Sequence, residues 1–318
     1  MQFMSATTEI AAPPKSQAAV MVLFFAPTIF LSAFLLFCCE PMVGKMMLPL
    51  LGGAASVWIT CLLFFQLMLL TGYGYAHALE RYANVQTQLI VHAVLMAAAL
   101  LLLPIRFGVR PDASASVHPT LWLLGMLLRY VGLPFCIVST TAPLLQNWLS
   151  KTTAASARDP YFLYAVSNAG SLLALLAYPV LIEPKLGLQR QSAAWGGAFL
   201  LLLLLVISAG ILVWRHLDET SARLRPQAAV MSVAPEVRWP LRLFWLAAAF
   251  VPSGLMLAVT NHMLLNLASV PFLWVIPLAI YLLTFMIAFA RRFRLSLQML
   301  SATVPIILLV VFPLVAVS

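Results

Sequence analysis

Long apolar runs alternate with short polar breaks along the whole chain. The runs fall at about 20–39, 55–79, 88–104, 120–143, 161–182, 192–214, 242–267, 271–290 and 297–317. Each lies near the roughly 20 apolar residues that a helix needs to cross a bilayer core. The pattern predicts an all-α, polytopic membrane bundle of about nine transmembrane helices. Residues 1–19 read as a short disordered arm before the first span. The longest polar break, 215–241, then divides the spans into a six-helix membrane half (20–214) and three further helices (242–318) that form a partial second half.

The breaks carry the chemistry. In the first hairpin one apolar run ends at Cys39 and the next begins near Val57. The expected connector holds Glu40, Pro41, Lys45, Pro49, Gly52 and Gly53. A faint echo links the two halves: Phe25-Ala26-Pro27-Thr28 resembles Phe250-Val251-Pro252-Ser253, and each precedes a second span entered near a tryptophan, Trp58 or Trp274. Six helices, a loop and a restarting pattern is the layout of parallel-repeat transporters. A six-plus-six transporter needs three helices more than the nine expected, so either a longer protein or an incomplete transporter architecture is expected.

Composition narrows the class. The chain is 63% hydrophobic and 8% charged, against about 25% charged in soluble domains. Its net charge of +9 does not point to nucleic acid, because the basic residues lie mostly in loops. Of the 18 Lys and Arg, twelve fall on the side of the N-terminus and five on the other, with Arg129 inside a span. That asymmetry predicts a cytoplasmic N-terminus and a cytoplasmic 215–241 loop. Cys38, Cys39, Cys61 and Cys136 lie within or at the ends of apolar runs without metal-ligand spacing, and read as apolar fillers.

Ionisable and amide side chains inside apolar helices are the candidates for function. Glu40 and Glu183 are placed at the outer ends of the first and fifth spans. Arg129 lies roughly 12 Å below the outer end of the fourth, at 1.5 Å per residue. Arg129 is expected either to pair with Glu40 or Glu183 or to snorkel alone to the headgroups. On the seventh span His262 and Asn266, four residues apart, share a face, whereas Asn261 does not. They line an outward vestibule or hydrogen-bond between helices. Asn168 sits among Ser167, Gly170 and Ser171, small residues that allow close helix contact. Pro134 and Pro252, each beside a glycine, predict kinks. His77 and the tyrosines Tyr73 and Tyr75 fit an interfacial belt, and His92 has no partner visible in sequence. Glu40, Arg129, Asn168, Glu183, His262 and Asn266 form the candidate solute-binding set. No catalytic, cofactor or metal motif is found: Gly72 and Gly74 lie inside an apolar helix, not after a strand.

Four segments carry a resemblance: EPMVGKMMLPLLGG (40–53), VWITCLLFFQLMLLTGYGYAHAL (57–79), DPYFLYAVSNAGSLLALLAYPVLIEPKLG (159–187), and FVPSGLMLAVTNHM with VPFLWVIPLAIYLLTF (250–285). Together they resemble the membrane region of fused major-facilitator/spermidine-synthase-like proteins. That family joins a multi-helix membrane domain to a soluble aminopropyltransferase-like domain, which these residues do not contain. At the position of Glu40 the family pattern often has Gln. The resemblance implies a major-facilitator-like membrane module in a bacterial inner (plasma) membrane, and no residue here inherits a catalytic role from the family's synthase-like domain. Its partners would be the lipid bilayer, a small polyamine-related solute and a synthase-like domain or subunit, with no nucleic acid and no cofactor. Either the module moves or binds that solute through a vestibule lined by Glu40, Arg129, Glu183 and His262, or it anchors or regulates a spermidine-synthase-like domain and transports nothing.

Overall fold

The computed structural model describes residues 15–51, 55–108, 118–152, 162–224, 239–266 and 275–289. Eight helices make up the described chain: α1 (Lys15–Leu51), α2 (Ala55–Tyr82), α3 (Val85–Leu100), α4 (Pro119–Ser150), α5 (Phe162–Lys185), α6 (Leu188–Leu224), α7 (Trp239–Asn266) and α8 (Val275–Phe289). Six of them, all but α3 and α8, are long and apolar enough to cross a membrane. These eight match the first eight expected spans. The ninth, 297–317, lies outside the described residues, as do the arm before residue 15 and most of the 215–241 loop.

The first hairpin corrects the sequence reading. Helix α1 does not end at Cys39; it continues through Glu40, Pro41, Lys45 and Pro49 to Leu51. Each proline removes one backbone hydrogen bond, yet packing outweighs the loss. Cys39, Met42, Val43 and Met47 recur at helical spacing and are all buried. Glu40 and Lys45 are therefore helical residues projecting from α1, not loop residues.

Two wide π-helical turns interrupt the long helices, Leu128–Gly132 in α4 and Tyr178–Ile182 in α5. In each case a proline follows two residues later, Pro134 and Pro184. A proline lacks the N–H that would reach back four residues, and its ring crowds the carbonyl there, Tyr130 or Val180. A widened turn relieves that crowding, so the kink expected at Pro134 takes this form.

Helix α1 is the hub, packing against α2, α4, α5 and α6. Phe25, Ile29, Leu35 and Met42 from α1 join Phe65, Phe135, Trp148 and Phe199 in the buried core. Gly170 of α5 lies directly against the Phe30 backbone of α1, and Gly72 of α2 against Ser139 and the Cys136 carbonyl of α4. Helix α8 packs on α5, and α7 on α8. The span Trp239–Val259 of α7 keeps none of its residues buried.

Candidate functional site

The two acidic candidates, Glu40 and Glu183, gather at the end of the bundle where α1 leads to α2. On α1, Glu40 and Lys45 are five residues apart, about 140° around the helix at 3.6 residues per turn. They face different neighbours. Lys45 turns toward α5, where its Nζ forms an ion pair with Glu183 Oε1; both side chains stay about one-third exposed. Half-buried Glu40 turns toward α2 and a niche lined by Trp58, Cys61, Leu62 and Phe65. Trp58, Cys61, Leu62 and Phe65 follow helical i, i+3, i+4, i+7 spacing, which sets them on one face of α2. Gly44, one turn beyond Glu40, admits the Trp58 indole: a β-carbon there would strike the ring. Among the described residues Glu40 has no ion-pair partner.

Of the two alternatives for Arg129, the structure shows no pairing with an acid among the described residues and leaves the side chain exposed. It pairs with neither Glu40 nor Glu183; Glu183 is held by Lys45 instead. The buried face of α4 runs through Leu127, Val131 and Phe135. Arg129 falls on the opposite side, exposed, with its guanidinium 5.8 Å from the centroid of the Tyr130 ring. Asn168 is half-buried and donates to the Tyr164 carbonyl of its own helix at 2.8 Å. His262 and Asn266 lie on α7, and their side chains are outside the described residues. The structure thus brings Glu40 and Glu183 to one end of the bundle, and does not bring Arg129 to either.

Pattern reading missed a buried polar seam between α2, α3 and α4. Gln88 accepts from Trp148 Nε1 at 2.7 Å and donates to the carbonyls of Leu79 and Ala83. One turn deeper, His92 Nε2 lies 3.4 Å from Thr141 Oγ1. Thr140 Oγ1 donates across to the Gly72 carbonyl at 3.1 Å. The signal was present: Gln88 with His92, and Thr141 with Trp148, sit at i, i+4 and i, i+7. Elsewhere Trp195 Nε1 donates to the Leu35 carbonyl, Ser32 Oγ to that of Val138, and Tyr178 Oη to Gln191 Oε1. Among the described residues no group of three His, Cys, Asp or Glu side chains could hold a metal ion.

Comparison with known proteins finds similarity over part of the chain. A polyamine aminopropyltransferase from Corynebacterium efficiens is 31% identical over 121 residues, 37% of this chain. The match takes in 22% of that relative, so the chain spans about a fifth of its length. No family model matches, and no solved structure matches.

Proposed function

We propose that the chain is a membrane-embedded helical module, oriented with its N-terminus in the cytoplasm, that binds a small organic cation in the Glu40 niche. One observation carries this reading: a half-buried carboxylate shares with two aromatic side chains, Trp58 and Phe65, a niche of about 10 Å³, room for one ammonium-sized group, and lacks an ion-pair partner among the described residues. A charge inside an apolar span is expensive and marks a site by default. A carboxylate beside aromatic faces suits an alkylammonium, which gains from both charge and cation–π attraction. Glu183 is already matched by Lys45, and Arg129 stands on the exposed face of α4, so neither opposes a cation at Glu40. The partial similarity to a polyamine aminopropyltransferase favours a polyamine as that cation.

A second reading, a membrane anchor for an aminopropyltransferase-like domain, draws on the internal satisfaction of polar groups such as Ser32, Trp195 and Tyr178. The two separate in one titration. Protein in lipid nanodiscs is titrated with spermidine, following Trp fluorescence and binding heat. Losing a charged hydrogen-bonding group forfeits about 1.5–3 kcal/mol, so Glu40→Gln should weaken binding by roughly 10- to 100-fold. Saturable wild-type binding that survives Glu40→Gln refutes the niche; no wild-type binding favours the anchor.

A further inference from the structure

Three buried side-chain atoms among the described residues lack a hydrogen-bond partner: Tyr75 Oη, His92 Nδ1 and Asn147 Nδ2. They come from α2, α3 and α4, three mutually packed helices, near the end where α2 turns into α3. This is the opposite end of the bundle from Glu40. The Tyr75 and His92 rings stack with centroids 6.2 Å apart and planes inclined by 25°. His92 is fully buried.

The neighbouring bonds favour one tautomer of His92. The Thr141 hydroxyl hydrogen is taken by the Ile137 carbonyl at 3.2 Å. Thr141 Oγ1 is then an acceptor toward His92, so Nε2 carries the proton and Nδ1 presents a bare lone pair. The junction therefore offers an acceptor at His92 and, stacked on it, a group of either kind at Tyr75. Gln88, one turn away on the same face of α3, has both ends of its amide bonded. The seam is thus complete at its rim and open one turn further in.

We infer that this junction is an internal water site, in which one water or a short chain donates to His92 Nδ1 and bonds the Tyr75 hydroxyl. A buried polar atom left without a partner loses more free energy than immobilising a water costs. The partners present, both donor and acceptor, are those a buried water needs. With water at Nδ1, His92 is a hydrated hydrogen-bonding group within the buried polar seam, on the side away from the proposed cation niche.

X-ray hydroxyl-radical footprinting of the protein in nanodiscs, read by mass spectrometry, tests this directly. Radicals form from bound water, so Tyr75 should oxidise several-fold faster than Tyr281, a half-buried tyrosine whose hydroxyl lies against Ser253 Oγ. Exposed Tyr82 is the positive control. Tyr75 protected as fully as Tyr281 overturns the inference. Thermal unfolding of Tyr75→Phe gives a second reading of opposite sign. A hydrated site loses a water contact and the midpoint falls; a dry site sheds an orphaned hydroxyl and the midpoint holds or rises. Tyr75→Phe at or above the wild-type midpoint overturns the inference, and should the variant fail to fold, the wild-type footprint decides.

Discussion

Gly170 is where the hub helix is most tightly committed. A β-carbon on Gly170 would meet the Phe30 carbonyl oxygen, with the Phe30 carbonyl carbon and Cα at 3.1 and 3.3 Å. All three are backbone atoms of α1, so no side chain can swing aside. Gly170→Ala must push α5 from α1, the helix that four others pack against. Overpacking of this kind costs roughly 1–3 kcal/mol, and alanine returns about 0.8–1.0 kcal/mol of helix propensity. Gly197→Ala on α6 is the matched control, because that glycine is exposed with open space around it. The propensity gain is common to both variants and cancels in the comparison. Unfolding of the two proteins in one detergent should therefore place Gly170→Ala below Gly197→Ala by roughly 1–3 kcal/mol. Equal stability would refute the close α1–α5 contact.

The Lys45–Glu183 pair should show a coupling of roughly 0.2–1 kcal/mol in a double-mutant cycle with Lys45→Met and Glu183→Gln, as part-exposed pairs do; zero coupling contradicts the pairing. Trp148→Phe leaves Gln88 Oε1 without its donor and should lower stability by roughly 1–3 kcal/mol. Adding Gln88→Leu to that variant should then cost far less than Gln88→Leu alone, measured by the same unfolding assay. Arg129→Ala should change stability by no more than about 0.5 kcal/mol, as for a surface position, whereas a large loss would show that its guanidinium is held by a buried acid.

The helices were legible because about 20 consecutive apolar residues have few alternatives to a membrane-length helix. Their ends were less so. Proline and glycine density around 40–53 reads as a connector, yet the buried face Cys39, Met42, Val43, Met47 draws α1 on to Leu51. That extension changed the site, because it set Glu40 and Lys45 on different faces of one helix. Arg129 stands between two readings in the sequence because a count of residues gives depth along a helix but not direction around it. The four-residue echo has no counterpart in burial: Phe25 is fully buried in α1, whereas Phe250 at the matching position of α7 is 74% exposed. The polar seam went unread because its members belong to three helices, and each alone resembles an ordinary core residue.

Glu40→Gln is the most discriminating change because it should move two measurements independently. The substitution keeps the shape of the side chain and removes only the charge. Glu40 has no ion-pair partner among the described residues, and it sits against Trp58, Cys61, Leu62 and Phe65. Removing a charge from apolar surroundings relieves desolvation without breaking a pair, so the unfolding midpoint should hold or rise. Binding of an organic cation should collapse in the same protein. A structural acid would behave in the opposite way, its loss lowering the midpoint. Stability retained with affinity lost therefore identifies Glu40 as a ligand-facing charge, while a lowered midpoint would transfer it to the architecture of the α1–α2 hairpin.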